Sequence, residues 1–251
     1  MGTPNFASPK TNYRYHSWAI VMGDFSNIRC VVFDLDDTLW PCEPTILNAE
    51  LALYEWLKEC YPRITAQYSL ESLREQRANF ALLNPHIAHD VTALRKQSLA
   101  ELAQKFDYPM SLANDGLTLF RQHRNQVDLF DDALSTIQKI GEHFKIGVIT
   151  NGNADLEAIG LSEHFDFIVT AEEAGVAKPD KAIFEYARNR VKLASHELLY
   201  VGDHPTIDVL GSSNSGWKSL WFNPAAAHWP EDIMPDAEIQ KLSELPGLLS
   251  I

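Results

Sequence analysis

Four short stretches of this chain carry polar residues that could act together on a phosphate. The first follows an apolar run, Cys30-Val31-Val32-Phe33, which breaks into the acids Asp34, Asp36 and Asp37. The second is Thr150-Asn151-Gly152, after the apolar run Lys145 to Ile149. The third is Lys178, just ahead of Pro179-Asp180, and the fourth is Gly202-Asp203, after Glu197 to Val201, with Asp208 five residues on. An aspartate carboxylate can attack phosphorus and split a hard hydrolysis into two easier displacements, a role that falls to Asp34. A second carboxyl group nearby can first give a proton to the leaving alkoxide and then take one from water, which suits Asp36. Phosphoryl transfer is mostly positioning and charge stabilisation, and Thr150, Asn151 and Lys178 are placed to hold the transferred oxygens. Carboxylates this close need a cation between them, and oxygen ligands beside a phosphate favour Mg²⁺. Its expected ligands are Asp34, Asp203 and Asp36 through its backbone carbonyl, with Asp208 acting directly or through water.

Each piece alone has a plainer reading. Thr150-Asn151-Gly152 is also a turn sequence, Lys178 also a solvated lysine, and Asp203 also a helix cap. Their order, each at the end of a separate apolar run, is what joins them into one site.

Positioning them requires strands that end on one edge. Runs apolar at every position, without polar alternation, suit strands covered on both faces, and ligands of parallel sheets gather at the carboxyl ends of the strands. Beyond residue 129 strand and helix alternate: a helix at 133–142, strand 145–149, a short helix at 154–159, strand 165–169, helix 181–191, strand 197–201, a helix at 206–213 and strand 217–222. Such alternation predicts a parallel, doubly wound α/β sheet. Between the first strand and this region, apolar spacing at three and four predicts four helices, at 45–60, 70–83, 91–106 and 112–127. Leu47, Leu51, Tyr54 and Leu57 would line a face of the first, and Leu94, Leu99, Leu102 and Phe106 a face of the third. The expected organisation is an irregular extension over 1–26, an α/β core from 27–41 and 129–251, and a helical cap inserted at 42–128. Met22, just before the first strand, is a candidate start of translation.

Composition narrows the partners. Lys plus Arg number 21 against 34 Asp plus Glu, a formal charge of -13, so the surface as a whole repels nucleic acid and anionic membrane. A small phosphorylated metabolite must therefore be held locally, by a cation and a few placed bases. No apolar run approaches the roughly 20 residues of a membrane-spanning helix. Cys30, Cys42 and Cys60 are odd in number and lack Cys-x-x-Cys spacing, which points away from a disulfide framework or a zinc site and towards the cytoplasm.

The motifs Asp34-Leu-Asp36-Asp37-Thr38, Thr150-Asn151-Gly152, Lys178-Pro179 and Gly202-Asp203 through Asp208 resemble those of the haloacid dehalogenase superfamily. The resemblance implies a Rossmann-like core with a mobile cap after the first motif, and residue roles that agree with those above. It also implies that halide-displacing members lack the second acid of the first motif, so that Asp36 favours a phosphatase. Sugar-phosphate mutases share the metal and both acids and stay open as an alternative, as does a scaffold that binds a phosphorylated ligand without turnover. Within the family, Thr150 to Ala154 with Gly160-Leu161, and His89 to Arg95, are similar to the bacterial phosphatases of flavin mononucleotide and of the phosphoribitylamino-uracil intermediate of riboflavin synthesis. Trp40, His89 and Arg95 are the candidate substrate contacts on the cap side.

Overall fold

The computed structural model describes residues 23–251; the expectations for 1–22, including Met22, lie outside the described residues. Six strands form one parallel sheet: β1 (Cys30–Phe33), β2 (Lys145–Thr150), β3 (Phe167–Thr170), β4 (Leu198–Gly202), β5 (Lys218–Phe222) and β6 (Ala237–Ile239), in the order β3-β2-β1-β4-β5-β6. The order reverses at β1, which therefore lies between β2 and β4 at a switch point where ligands of such sheets bind.

Side chains alternate across the sheet, so each strand feeds two cores. Val31, Phe33, Val148, Leu199 and Val201 pack on one face, and Cys30, Val32, Ile149, Leu198 and Tyr200 on the other. Burial on both sides explains why these strands read as unbroken apolar runs. Phe25 and Ile28 join the first of these cores, and the Gly23 N–H donates to the Asp236 carbonyl at 2.9 Å, so residues 23–28 are pinned to the sheet.

The first five helices after β1 are α1 (Cys42–Cys60), α2 (Pro62–Thr65), α3 (Leu70–Leu83), α4 (Val91–Lys105) and α5 (Ser111–Arg124). They enclose a core of their own around Leu53, Leu57, Ile64, Leu102, Leu112 and Phe120. The helix α6 (Ala133–Gly141) leads into β2, and beyond β2 come α7 (Leu156–Ile159), α8 (Ala171–Ala174) and α9 (Lys181–Val191).

Four expectations need correction. The buried stripe of α1 is Ala49, Leu53 and Leu57, and Leu51 is 42% exposed, because the buried polar Glu50 turns the helix away from the face that its leucines suggested. The helix expected at 206–213 is a π-type turn, Pro205–Leu210, followed by a short helix, Gly211–Asn214. The sequence reading had no sixth strand: β6 is three residues long and follows a stretch interrupted by prolines, too little for a periodic signal. The start of α1 also moves forward to Cys42, whose N–H is capped by the Asp37 carboxylate at 2.8 Å, while Pro44 is tolerated in the first turn.

Candidate active site

The chain leaves β1 still paired, with the Asp34 N–H donating to the Val201 carbonyl at 2.9 Å, so the Asp34 carboxylate is fixed by the sheet. Three residues later the backbone turns at Asp37, whose φ of 59° is a left-handed value that Asp tolerates better than most residues, and the Asp37 N–H closes the loop onto the Trp40 carbonyl at 2.8 Å. Asp37 therefore serves the turn and the cap of α1. Asp36 points its carboxylate to the mouth of the same cleft, held by the Trp40 Nε1–H at 2.9 Å and by Arg124 Nη2 at 2.7 Å.

Lys178 arrives from the loop before α9. Its ammonium donates to Asp34 Oδ1 at 2.7 Å, to Asp208 Oδ1 at 2.7 Å and to the Tyr200 hydroxyl at 2.8 Å, which uses all three of its donors. Tyr200 in turn donates to the Ile149 carbonyl at 2.9 Å. Asn151 braces this lysine: its amide donates to the Lys178 carbonyl at 3.0 Å and accepts the Lys178 N–H at 2.8 Å. The Asn151 side chain is thus spent on placing Lys178, and what it offers a phosphate is backbone. The Thr150 hydroxyl accepts the Gly152 N–H at 2.9 Å and lines the cleft.

Asp203 and Asp208 come from the end of β4 and the turn after it. Asp208 is 1% exposed, and its second oxygen accepts the His204 N–H at 3.0 Å. Thr38 donates to Asp203 Oδ1 at 3.3 Å. Two glycines are required by these approaches: a Cβ on Gly202 would lie 2.5 Å from the Asp208 carboxyl carbon, and one on Gly152 would lie 2.7 Å from Asp36 Oδ2.

Oxygens of Asp34, Asp203 and Asp208 lie within 4.8 Å of one another. Three carboxylates face one ammonium, in a cleft of about 180 Å³ that Asp36, Thr150 and Asn151 also line. Burial first, and then the Asp208 charge against the pull of Lys178, pushes Asp34 up to about 8; burial and then Asp208 and Asp37 push Asp203 up to about 7. The cluster is short of positive charge and offers only oxygen donors, a set that fits a hard divalent cation.

On the side of the helices, Arg95 is buried and stacked over the Phe120 ring at 3.4 Å. Trp40 is fully buried and sits behind Asp36 as its hydrogen-bond donor, so it is no surface for a ligand in this arrangement. His89 lies in the turn before α4, half-buried, and does not line the cleft; the neighbouring Asp90 caps α4 by accepting the Ala93 N–H at 2.7 Å. Sequence reasoning missed Arg124, Tyr200 and Glu50. A tyrosine inside the otherwise aliphatic Leu198-Leu199-Tyr200-Val201 run was a readable sign of a buried hydroxyl with a task. Arg124 and Glu50 gave none, since charged residues on helices usually face water.

A family model described as haloacid dehalogenase-like hydrolase matches residues 28–216. Among similar proteins, 5-amino-6-(5-phospho-D-ribitylamino)uracil phosphatase YigB of Escherichia coli K12 is 28% identical over 230 residues, covering 88% of this chain and 96% of that one. Pyrimidine 5'-nucleotidase YjjG of the same organism is 40% identical over 123 residues, 47% of this chain and 55% of that one. Among solved structures, a 2-haloacid dehalogenase from Pseudomonas syringae pv. Tomato DC3000 superposes with a TM-score of 0.84 at 38% identity, covering 89% of this chain and 98% of that chain.

Proposed function

This chain belongs to the haloacid dehalogenase-like hydrolase family and is an enzyme of phosphatase type, and from that premise we propose that it is a Mg²⁺-dependent phosphomonoesterase working through a phospho-Asp34 intermediate on a small phosphorylated metabolite. The observation that carries the reading is the convergence of Asp34, Asp203 and Asp208 on one point, with Lys178 beside them and Asp36 at the rim of the same cleft.

In the first step an Asp34 oxygen bonds to phosphorus as the bond to the leaving oxygen breaks, and Asp36 gives that oxygen a proton. In the second, Asp36 takes a proton from a water that attacks the phosphorus, which frees phosphate and restores the Asp34 carboxylate. Lys178, the Thr150 hydroxyl and backbone N–H groups around Asn151 hold the phosphoryl oxygens, and Lys178 does so by exchanging one of its present partners. Asp34, Asp203 and the Asp36 carbonyl would hold the Mg²⁺, with Asp208 acting through water, since both its oxygens already accept hydrogen bonds. Bound there, the ion would neutralise charge on the phosphoryl group. The helices α1–α5 act as a cap that closes over this cleft and keeps out water.

For the substrate, likeness to YigB supports the phosphoribitylamino-uracil intermediate of riboflavin synthesis or flavin mononucleotide. The three free cysteines favour a cytoplasmic setting, and among the described residues no helix is long and apolar enough to cross a membrane. Halide displacement is disfavoured because the carboxylate of a haloacid would enter beside Asp203 and Asp208. The test is product release from flavin mononucleotide, sugar phosphates, nucleotides and 2-chloropropionate, with Mg²⁺ or EDTA. Mg²⁺-dependent free phosphate is the expected result. An isomeric phosphate would replace this reading with a mutase, chloride with a dehalogenase, and saturable binding without turnover with a scaffold.

A further inference from the structure

A second cavity, of about 290 Å³, meets the catalytic cleft at Asp36 and Gly152, which line both. Its other polar walls are guanidinium groups: Arg74 and Arg77 from α3, Arg95 from α4 and Arg124 from α5. Three of them converge on one buried carboxylate, Glu50, whose oxygens lie 2.9 Å from Arg74 Nε, 3.3 Å from Arg95 Nη2 and in contact with Arg77. Arg74 also reaches Glu43, at 3.0 Å, but the Glu43 side chain is 68% exposed. The fourth, Arg124, is paired with Asp36, a member of the catalytic cleft.

Positive charge therefore exceeds negative charge inside this pocket, in a protein whose net charge is -13. Burying a charge costs several kcal/mol per ion unless it is matched, so one glutamate does not explain three arginines. An independent sign comes from Arg124. Its side chain is 1% exposed, and its Nε and Nη1 have no hydrogen-bond partner among the described residues. Unpaired buried donors of this kind are rare and call for a missing acceptor. Arg95 points the same way: burial first and the Arg77 charge next push its pKa down to about 9, and an anionic group beside it would relieve both.

We infer that this pocket receives the leaving-group end of the substrate and reads there a planar pair of oxygen acceptors, either a carboxylate or the dicarbonyl edge of a heterocyclic imide. The orientation rests on the phosphomonoesterase reading, with the phosphoryl group at Asp34 and the rest of the molecule passing Asp36. A guanidinium fork matches the two oxygens of a carboxylate, and two separate guanidinium groups can each donate to one carbonyl of an imide edge, whereas a polyol presents no such coplanar pair of acceptors. The apolar side chains of Ile46, Leu94 and Phe120 supply walls for a flat group.

The test uses three phosphate esters: flavin mononucleotide, which has an imide edge, 3-phosphoglycerate, which has a carboxylate, and glycerol 3-phosphate, which has neither. kcat/KM is measured with Mg²⁺ for the wild type and for Arg77→Gln, whose side chain is 26% exposed and pairs with Glu50. Kd is measured for the same esters in Asp34→Asn and in Asp34→Asn with Arg77→Gln. Loss of a charge-assisted hydrogen bond predicts that the preferred acceptor-bearing ester loses about tenfold or more in kcat/KM and in affinity on Arg77→Gln. Glycerol 3-phosphate changes less than about twofold, because it makes no such bond. Which of the two acceptor-bearing esters leads identifies the source of the oxygens. Arg74→Gln repeats the test if Arg77→Gln lowers the Tm. Equal handling of all three esters, or an equal loss for all three, overturns the pocket assignment even if phosphate is released. Absence of turnover with the Kd differences intact overturns the phosphatase and leaves the pocket assignment standing.

Discussion

The cleft at the strand ends and the pocket among the helices share Asp36 and Gly152 as a common wall, yet their side chains carry opposite charge. In the cleft, Asp34, Asp203 and Asp208 outnumber Lys178; in the pocket, four arginines outnumber the buried carboxylates. The supports differ as well. Asp34 is anchored by the main chain of a parallel sheet, Asp203 by the Thr38 hydroxyl and, at its carbonyl, by the Trp221 indole, and Lys178 by the amide of Asn151. The arginines are held by one another's counter-ions on separate helices, an arrangement that can shift when a helix moves. On the proposed reading, the chemistry stands on the half anchored by the sheet and recognition on the half held by side-chain ion pairs.

The strongest way to break this division is Asp34→Asn. If the cleft alone carries the chemistry, phosphate release falls by about 10⁴-fold or more, while the affinity of the pocket for an acceptor-bearing ester survives. Release at the wild-type rate would refute the nucleophile. Next in size is Glu50→Gln, which removes the buried counter-charge from Arg74, Arg77 and Arg95. Breaking one partner of a buried ion cluster costs about 3–5 kcal/mol, and hydrogen exchange should rise in α1, α3 and α4 but not in β1 or β4. A loss below about 1 kcal/mol in urea unfolding would mean that solvent already compensates these arginines.

Trp40→Phe sharpens the boundary itself. Trp40 is fully buried and gives Asp36 a hydrogen bond of 2.9 Å. Removing a hydrogen bond to a charged group predicts a fall of about tenfold in kcat, with KM nearly constant. A large rise in KM with kcat intact would instead return Trp40 to the ligand-contact role that its sequence position suggested.

How much of this was legible follows the same division. Asp34, Thr150 and Asp203 were readable because each ends or directly follows an apolar run, and a parallel sheet converts that position into a shared edge, while Lys178 was marked by the helix-start sequence Pro179-Asp180 and Asp208 by its spacing after Asp203. The bounds of α3 and α9 match their expected ranges, since apolar spacing and, for α9, Asp180 at the N-cap mark them. Glu50 and Arg124 were not readable, for a glutamate or an arginine on a helix looks the same whether it faces water or a buried partner on another element. That blindness also misplaced the stripe of α1. Leu51 was expected on the inward face and is 42% exposed, while Glu50, absent from that expected face, is 2% exposed.

The smallest effect concerns the charge deficit of the cleft. In the unfolded chain Asp34 and Asp203 titrate near 3.8; in the folded one burial lifts them to about 8 and about 7. Between these values the folded state binds more protons than the unfolded state, so stability is fully present at low pH and is lost as pH rises through the folded values. With EDTA, the Tm should decline as pH rises from about 4 to about 8, by about 2–4 °C for each kcal/mol that the protonated carboxylates contribute in a chain of this size. Mg²⁺ should flatten the decline, most strongly near pH 8, because it favours the ionised carboxylates. Asp203→Asn should shorten the decline in EDTA, whereas Arg77→Gln, on the far side of Asp36, should leave its shape unchanged. If Mg²⁺ shifted the Tm equally at every pH, or if Asp203→Asn left the decline as it is, the carboxylates of the cleft would not be the groups that set it, and the contrast in charge between the two cavities would lose its thermodynamic meaning.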